Sequence, residues 1–266
     1  MLTNYHTHTN FCDGKDGAED IVKIAIEKGF DAIGFSSHGY TSFDLSYCMK
    51  NTAEYIAEIN RLKQKYKGKI QIYLGIEEDA FELVKREDYD YVLGSSHYVK
   101  TKNGIMPIDL GHEHFKSLLK TFDGNRIALA KAYFETFTDY ILTRKPDVIG
   151  HFDLITKYDE KDGFAFLNNP EYVSLAEKHI LQALKSDCIF ELNTGAIARG
   201  YRTSPYPAIN LLHLICKNGG KIMINTDCHN KENLDCFVEQ SKLLLKDVGF
   251  NYSYVLYDGK FKKDYL

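Results

Sequence analysis

The chain has no surplus of basic residues. Thirty-three Lys and Arg stand against 37 Asp and Glu, a formal net charge of −4. A general binder of nucleic acid or of an anionic membrane needs a cationic surface that this balance does not supply, although a local basic patch stays open. No apolar run approaches the roughly 18 residues that span a bilayer. The opening residues, Met1-Leu2-Thr3-Asn4-Tyr5-His6, contain no basic segment followed by an apolar one, so no secretory signal is visible. None of the six cysteines (Cys12, Cys48, Cys188, Cys216, Cys228, Cys236) forms a C-x-x-C pair, and the expectation is reduced thiols in the cytoplasm. There is no G-x-G-x-x-G after the first predicted strand and no G-x-x-x-x-G-K-[ST], which lowers the nucleotide-binding open sheet. Repeats, low-complexity tracts and Pro/Gly/Ser linkers are missing too, so residues 1–266 are expected to form one domain.

What is present is the composition of a globular protein, with 44% hydrophobic and 26% charged residues. Short apolar runs alternate with amphipathic stretches along the whole length. The predicted strands are Leu2–Tyr5, Ala32–Phe35, Ile70–Ile76, Tyr91–Leu93, Asp147–Ile149, Cys188–Leu192 and Lys221–Ile224. The predicted helices are Ala18–Lys28, Thr52–Tyr66, Ile127–Leu142, Pro170–Lys185, Pro207–Lys217 and Lys231–Leu245, with Pro170 and Pro207 as helix starts and Gly29 as a left-handed stop. The stretch from Ser95 to Lys145 reads as a loop followed by helices. Strands alternating with helices predict a parallel sheet with right-handed crossovers, either a closed α/β barrel or an open doubly wound sheet.

Position is the informative property of the histidines. Of ten, six lie at or just past a predicted strand end: His6, His8, His38, His97, His151 and His229. Glu77, Glu191 and Asp227 occupy equivalent places. In a parallel barrel the C-terminal strand ends open onto one face, so residues distant in sequence converge there. His6-x-His8 and Asp227-x-His229 are each spaced by two, which aims both side chains to the same side. By the same alternation Glu77 is preferred over Glu78. The other histidines serve as a control: His112 and His114 fall in the long loop, and His179 and His213 in helices that would face the barrel exterior. A buried cluster of this many ionisable groups demands cations.

Imidazole and carboxylate without an obvious thiolate suit two or three divalent ions of the Zn, Mn or Fe kind. Cys12 and Cys228 lie beside candidate ligands, but the oxygen-rich surroundings argue against a thiolate site. Carboxylate-bridged ions hold a hydroxide suited to attack on a phosphoester, with amide or lactone hydrolysis behind it. A phosphate monoester needs further positive charge. Arg199, in the loop after the Glu191 strand, is the first choice for substrate binding, Arg202 the second and Lys157 the third.

The ordered series His6-x-His8, His38 in GFSSHG, Glu77 in GIEED, His97 in GSSHY, His151 in GHFD, Glu191 in ELNTG and Asp227-x-His229 resembles the polymerase and histidinol phosphatase (PHP) superfamily. The likeness runs from residue 6 to 229. The SSHY and GHFDLITKY segments and the arginine after ELNTG look most like the stand-alone histidinol-phosphate phosphatases. This resemblance implies a distorted (β/α)7 TIM-like barrel with a trinuclear centre: His6, His8, Glu77 and Asp227 on one metal, Glu77 bridging to a second held by His97 and His151, and His38 and His229 on a third. Many relatives carry a further histidine in the loop after H-x-H, where this chain has Asp13, a substitute oxygen ligand. Glu191 is left as either a ligand or the partner of an imidazole. The implied reaction is hydrolysis of L-histidinol phosphate in histidine biosynthesis, with Glu77, Asp227 and Arg199 catalytic. Asp109 or Glu113 in the long loop are candidates to contact the organic part of the substrate.

The partner expected is thus a small phosphate monoester, with no nucleic acid and no membrane, and the oligomeric state stays open. Two competing readings remain. One is a phosphoesterase acting on a nucleotide, a sugar phosphate or phosphotyrosine. The other is a catalytically idle metal-binding module.

Overall fold

The computed structural model describes residues 1–266. Its strands are β1 (Thr3–Asn4), β2 (Ala32–Phe35), β3 (Gln71–Asp79), β4 (Tyr91–Ser95), β5 (Tyr98–Thr101), β6 (Gly104–Pro107), β7 (Val148–Ile149), β8 (Ile189–Asn193), β9 (Lys221–Asn225), β10 (Tyr252–Tyr257) and β11 (Lys260–Tyr265). Its helices are α1 (Ala18–Glu27), α2 (Thr52–Lys65), α3 (His112–Lys120), α4 (Arg126–Arg144), α5 (Pro170–Ala183), α6 (Gly195–Ala198), α7 (Ile209–Lys217) and α8 (Val238–Val248).

Seven strands pair in parallel in the order β1-β2-β3-β4-β7-β8-β9, which is sequence order once the β5–β6 hairpin is set aside. All seven coincide with strands expected from the sequence. The ring is distorted where its ends meet. Between β1 and β9 the Tyr5 amide donates to the Asn225 side-chain oxygen at 2.8 Å. Just beyond, the His8 amide donates to the Cys228 carbonyl at 2.9 Å and the Cys228 amide to the His6 carbonyl at 3.2 Å. Closure is therefore made by the chain segments that carry His6, His8 and Asp227. The fold is the distorted (β/α)7 TIM-like barrel expected.

Local chemistry explains most boundaries. α1 buries Ala18, Ile21, Val22 and Ala25 on one stripe and stops before Gly29, whose φ of +76° suits a residue without a Cβ. Side chains of Asn51, Asn125 and Asn169 accept from backbone amides at the starts of α2, α4 and α5, and Pro170 opens α5. Pro207 lies ahead of α7, which begins at Ile209. The helix expected over Lys231–Leu245 is broken: a 3-10 turn at Lys231–Asn233 precedes α8, and Phe237 has a φ of +61°. The buried Leu234 carbonyl between them is taken by Asn4 Nδ2 and Thr226 Oγ1, both at 3.3 Å, and is lost to a continuous helix.

Two hairpins depart from the expectation. The long segment after Ser95 contains the antiparallel pair β5–β6 before α3 and α4. Tyr252–Tyr257, beyond the last strand predicted from the sequence, pairs with Lys260–Tyr265 of its own chain. This β10–β11 hairpin closes the N-terminal mouth of the barrel. Val255 and Leu256 pack there with Tyr5, Tyr73, Tyr91, Val148 and Ile189, and the Tyr5 hydroxyl donates to the Leu256 carbonyl at 2.7 Å. Above the plug, Tyr91 crosses the interior close to Gly75; a Cβ on Gly75 would come within 2.2 Å of the tyrosine ring. The remaining apolar residues form two outer layers between the ring and its helices, one under α1 and α2, the other under α4, α5, α7 and α8. No helix is long and apolar enough to cross a membrane.

Candidate metal centre

At the other mouth the structure brings His6, His8, Asp13, His38, Glu77, His97, His151, Asp227 and His229 into one cluster. Glu77, at the end of β3, stands at its middle. Its Oε1 lies 3.1 Å from His151 Nε2 and 3.4 Å from His97 Nε2, and its Oε2 lies 2.9, 3.3 and 3.5 Å from nitrogens of His38, His6 and His8. Asp227 Oδ1 sits 3.2 Å from His8 Nε2 and 3.5 Å from His6 Nε2. Asp13 reaches His38 Nε2 at 3.6 Å and His229 Nε2 at 3.4 Å. The imidazoles crowd one another, with ring centroids of His8 and His229 at 4.0 Å and of His8 and His38 at 4.3 Å.

Such packing of ionisable groups is costly unless something pairs them. Sets of three or four donor atoms lie within 4.8 Å of one another: His6, His8 and Asp227; His6, Glu77 and His151; His38, Glu77 and His97; and His8, Asp13, His38 and His229. His6 Nε2, His8 Nε2 and Glu77 Oε2 are buried with no hydrogen-bond partner in the protein. Orphaned lone pairs converging on common points are what divalent cations require, and the imidazole and carboxylate donors fit borderline ions. Burial works against charge on Glu77 and Asp227, yet both carboxyls are held well below the usual range, Glu77 by surrounding imidazoles and Asp227 chiefly by Arg199. Burial and the neighbouring His229 and His38 push His8 down to about 3, which leaves it a neutral donor.

The outer contacts fix how the rings point. Glu191 accepts at Oε1 from His6 Nδ1 at 2.7 Å and from Asn225 Nδ2 at 3.0 Å, and at Oε2 from the His151 amide and Asn193 Nδ2, both at 2.9 Å. Both of its oxygens are occupied, so it orients His6 and does not join the donor cluster. Asp79, which the sequence reading overlooked, does the same for His97, taking the backbone amide at 2.9 Å and Nδ1 at 3.2 Å. The signal was available: Asp79 is two residues after Glu77 and shares its strand face. Glu78 points the other way into Arg144 and the Tyr140 hydroxyl.

Arg199 lines the pocket. Its guanidinium pairs with Asp227 Oδ2 at 2.9 Å, and Gly195 makes the approach possible, since a Cβ there would sit 2.9 Å from Asp227 and 3.0 Å from Arg199. Lys157 also lines it, held by the carbonyl and carboxylate of Asp109 at 3.1 and 3.2 Å. Arg202 does not reach the pocket. Its guanidinium donates to Thr156 and Ser204 and lies 4.5 Å over the Tyr206 ring, bracing two loops, so the expectation that it touches substrate is corrected. Glu113 is likewise turned to solvent on α3, paired with Lys116. The four control histidines stay outside: His112 bonds Asp162, His179 bonds Thr138, and His114 and His213 sit on helices. Cys12 Sγ lies 3.5 Å from His8 Nδ1, on the far side of that ring from Asp227, and Cys228 packs into the layer under α1.

The cleft above the cluster has a volume of about 370 Å³. Its wall includes Lys15, Asp44, Tyr47, Tyr98 and Leu110, none of which the sequence reading singled out.

Comparison with known proteins agrees with this geometry. Residues 4–195 match the PHP domain family. The probable histidinol-phosphatase of Schizosaccharomyces pombe is 30% identical, the match covering 94% of this chain and 87% of that protein. The histidinol-phosphatase of Lactococcus lactis is 26% identical over 93% of this chain and 91% of its own length. A crystal structure of the Lactococcus lactis histidinol phosphate phosphatase, in complex with zinc, L-histidinol and phosphate, superposes with a TM-score of 0.74 at 21% identity, covering 98% of this chain and 99% of that one. A barrel closed by its histidine-bearing segments, a cluster of unpartnered imidazole and carboxylate donors at its mouth, and these similarities together place the chain in the PHP family, among its histidinol-phosphatase-like members.

Proposed function

We propose that this protein is a phosphoric monoester hydrolase that converts L-histidinol phosphate to L-histidinol and phosphate, a step of histidine biosynthesis, in the cytoplasm. Residues 1–266 act as one metallophosphoesterase unit. The observation that carries the reading is the set of buried donors left without partners, His6 Nε2, His8 Nε2 and Glu77 Oε2, in a chain 30% identical to a probable histidinol-phosphatase along nearly its whole length. Six free cysteines accord with a reducing compartment.

The residues present would hold two or three divalent ions of the Zn, Mn or Fe kind. His6, His8, Glu77 and Asp227 would take one, Glu77 with His97 and His151 another, and His38, His229 and Asp13 a third. The two oxygens of Glu77 face different imidazoles, so one carboxylate could serve both of the first two ions. Bound there, the ions supply Lewis acidity, a water nucleophile at neutral pH and charge neutralisation at the phosphoryl oxygens.

The chain's own groups do the rest. Arg199 presents a delocalised cation at the pocket wall, its guanidinium held in place by Asp227 and His229, and that charge is aimed at phosphoryl oxygens bound in the cleft. Lys157 adds a second positive charge at the rim. Asp227, kept ionised by Arg199, accepts a hydrogen bond from the attacking water and sets its direction. Glu191 and Asp79 hold His6 and His97 in the tautomer that leaves Nε2 unprotonated.

The test is phosphate release by the purified protein from L-histidinol phosphate, a nucleoside monophosphate, a sugar phosphate and phosphotyrosine, beside elemental analysis. A kcat/KM for histidinol phosphate well above the others, with at least two equivalents of metal, is expected. Equal or zero turnover across the panel overturns the assignment.

A further inference from the structure

The histidine cluster accounts for the phosphate end of a substrate and leaves open what the rest of the cleft recognises. We infer that Asp44 is the anionic contact for a cationic group on the alcohol portion of the substrate, and so selects phosphomonoesters that carry an amine. This inference rests on the proposed phosphatase reading and adds to it a named selectivity residue.

Three acids border the cleft outside the donor cluster or were expected near it, and the structure separates them. Glu113 is exposed on α3 and outside the lining. Asp109 lines the cleft, but its carboxylate is already neutralised by Lys157 at 3.2 Å. Asp44 lines it and forms no ion pair. Its Oδ1 accepts from the Ser46 amide at 3.0 Å and the Ser46 hydroxyl at 2.6 Å, and its Oδ2 accepts from the Tyr98 hydroxyl at 2.8 Å. These neutral donors fix the direction of the carboxylate and leave its charge unmatched. Burial disfavours ionisation, but the Ser46 and Tyr98 hydrogen bonds hold Asp44 below the usual range. No cation is among the groups that act on it.

A chain of aromatic contacts links Asp44 to the histidine cluster. Tyr47 stands edge-on against His38 with ring centroids 4.6 Å apart and lies 6.3 Å from His97, the Tyr98 ring is 6.1 Å from that of Tyr47, and the Tyr98 hydroxyl donates to Asp44. These groups line one cleft of about 370 Å³, room for a small molecule that reaches from the imidazoles to Asp44. Both Tyr47 and Asp44 come from the loop between β2 and α2. That loop opens with His38 of the donor cluster, so one segment carries a cluster imidazole at its start and the selectivity residues Asp44 and Tyr47 further along. A substrate with a second anionic group at that end would meet Asp44 with like charge, which disfavours it by repulsion, and a neutral alcohol would gain no charge pairing there.

The experiment compares esters that differ only in the amine: L-histidinol phosphate with its deamino analogue, and 3-aminopropyl phosphate with propyl phosphate, on wild type, Asp44→Asn and Asp44→Ala. Asparagine retains the Oδ1 acceptor for Ser46 and removes the charge. Metal content and the circular dichroism spectrum verify that each variant is folded and loaded. In wild type the amine-bearing ester of each pair is expected to have the higher kcat/KM. That ratio is expected to fall about 10- to 100-fold in Asp44→Asn, through KM, as for the loss of one hydrogen-bonded charge pair. Inhibition by L-histidinol should weaken in parallel. A wild-type ratio near one, or a ratio that survives both substitutions, overturns the assignment of Asp44. If the amine preference depends on Asp44 but histidinol phosphate is a poor substrate, only the parent reading of the physiological substrate fails.

Discussion

The two mouths of the barrel are built from opposite ends of the same strands and bury opposite chemistry. At the N-terminal mouth, Val255 and Leu256 of the C-terminal hairpin press against Tyr5, Tyr73, Tyr91 and Ile189, and the one buried hydroxyl named there, on Tyr5, has its acceptor. At the C-terminal mouth, imidazoles and carboxylates crowd together, with His6 Nε2, His8 Nε2 and Glu77 Oε2 among the buried atoms left unpartnered. The first arrangement is what a stable interior looks like, apolar and satisfied. The second is stable only because the strands and Glu191 hold it in place, and it is completed by cations. The difference separates stability from function: one end closes the fold, while the other keeps donors ready for a ligand.

Substitutions at each end should therefore fail in different ways. Glu77→Gln removes the charge shared between two groups of imidazoles. We expect kcat on histidinol phosphate to fall by about 10³-fold or more, with reduced metal content, as measured by steady-state kinetics beside elemental analysis. Full activity in that variant would sink the bridged centre. Leu256→Ala attacks the plug instead. It should lower unfolding free energy by about 2–5 kcal/mol in chemical denaturation while kcat per folded molecule stays near wild type. Equal damage to kcat would mean that the two mouths are coupled.

Removing metal tests the same contrast without mutation. If free metal stands at about 100 times its dissociation constant, binding contributes roughly 2.7 kcal/mol to the folded state. A chelator should then lower the melting temperature by about 5–10 °C and abolish turnover, and both should return with added Zn or Mn. A melting curve indifferent to chelation would count against the donor cluster as a metal centre.

The smallest effect is expected outside both mouths. His179, between α4 and α5, bonds Thr138 at 2.8 Å and is stacked on Phe134. Burial, and to a lesser degree Lys178, push its pKa down from the ordinary 6.5 to about 4. The unfolded chain takes up this proton first as pH falls. Stability is therefore unaffected by His179 above about pH 6.5 and is lost between about 6.5 and 4. His179→Gln should flatten that part of the stability profile by about 1 kcal/mol, read from denaturant titrations at pH 7 and pH 4.5. An unchanged profile would show that the ring titrates alike in the folded and unfolded chain.

The site was legible to the degree that it follows strand periodicity. His6 and His8, and Asp227 and His229, face the same way because they are spaced by two at strand ends, and Glu77 rather than Glu78 faces the cluster for the same reason. Asp79 obeys the same rule, two residues after Glu77 on the same strand face. Arg202 was misplaced since a loop arginine carries no periodicity; its direction is set by Thr156, Ser204 and the Tyr206 ring, all brought in by other segments. The plug was half legible. Tyr252–Tyr257 alternates as a strand, but its partner strand, Lys-Phe-Lys-Lys-Asp-Tyr, is mostly charged and reads as solvated tail.

By itself the sequence determined the seven parallel strands, the helices between them and which side of each strand end would carry a donor. These are local properties, governed by alternation, capping residues and glycine stops within a few positions. Only the tertiary structure decided that Glu191 orients a ring, that Lys157 neutralises Asp109 while Asp44 is left with unmatched charge, and that the C-terminal hairpin closes the opposite mouth. Each of these depends on which distant side chains occupy the remaining hydrogen-bonding positions and the space around a group. That competition exists only once the ring has closed.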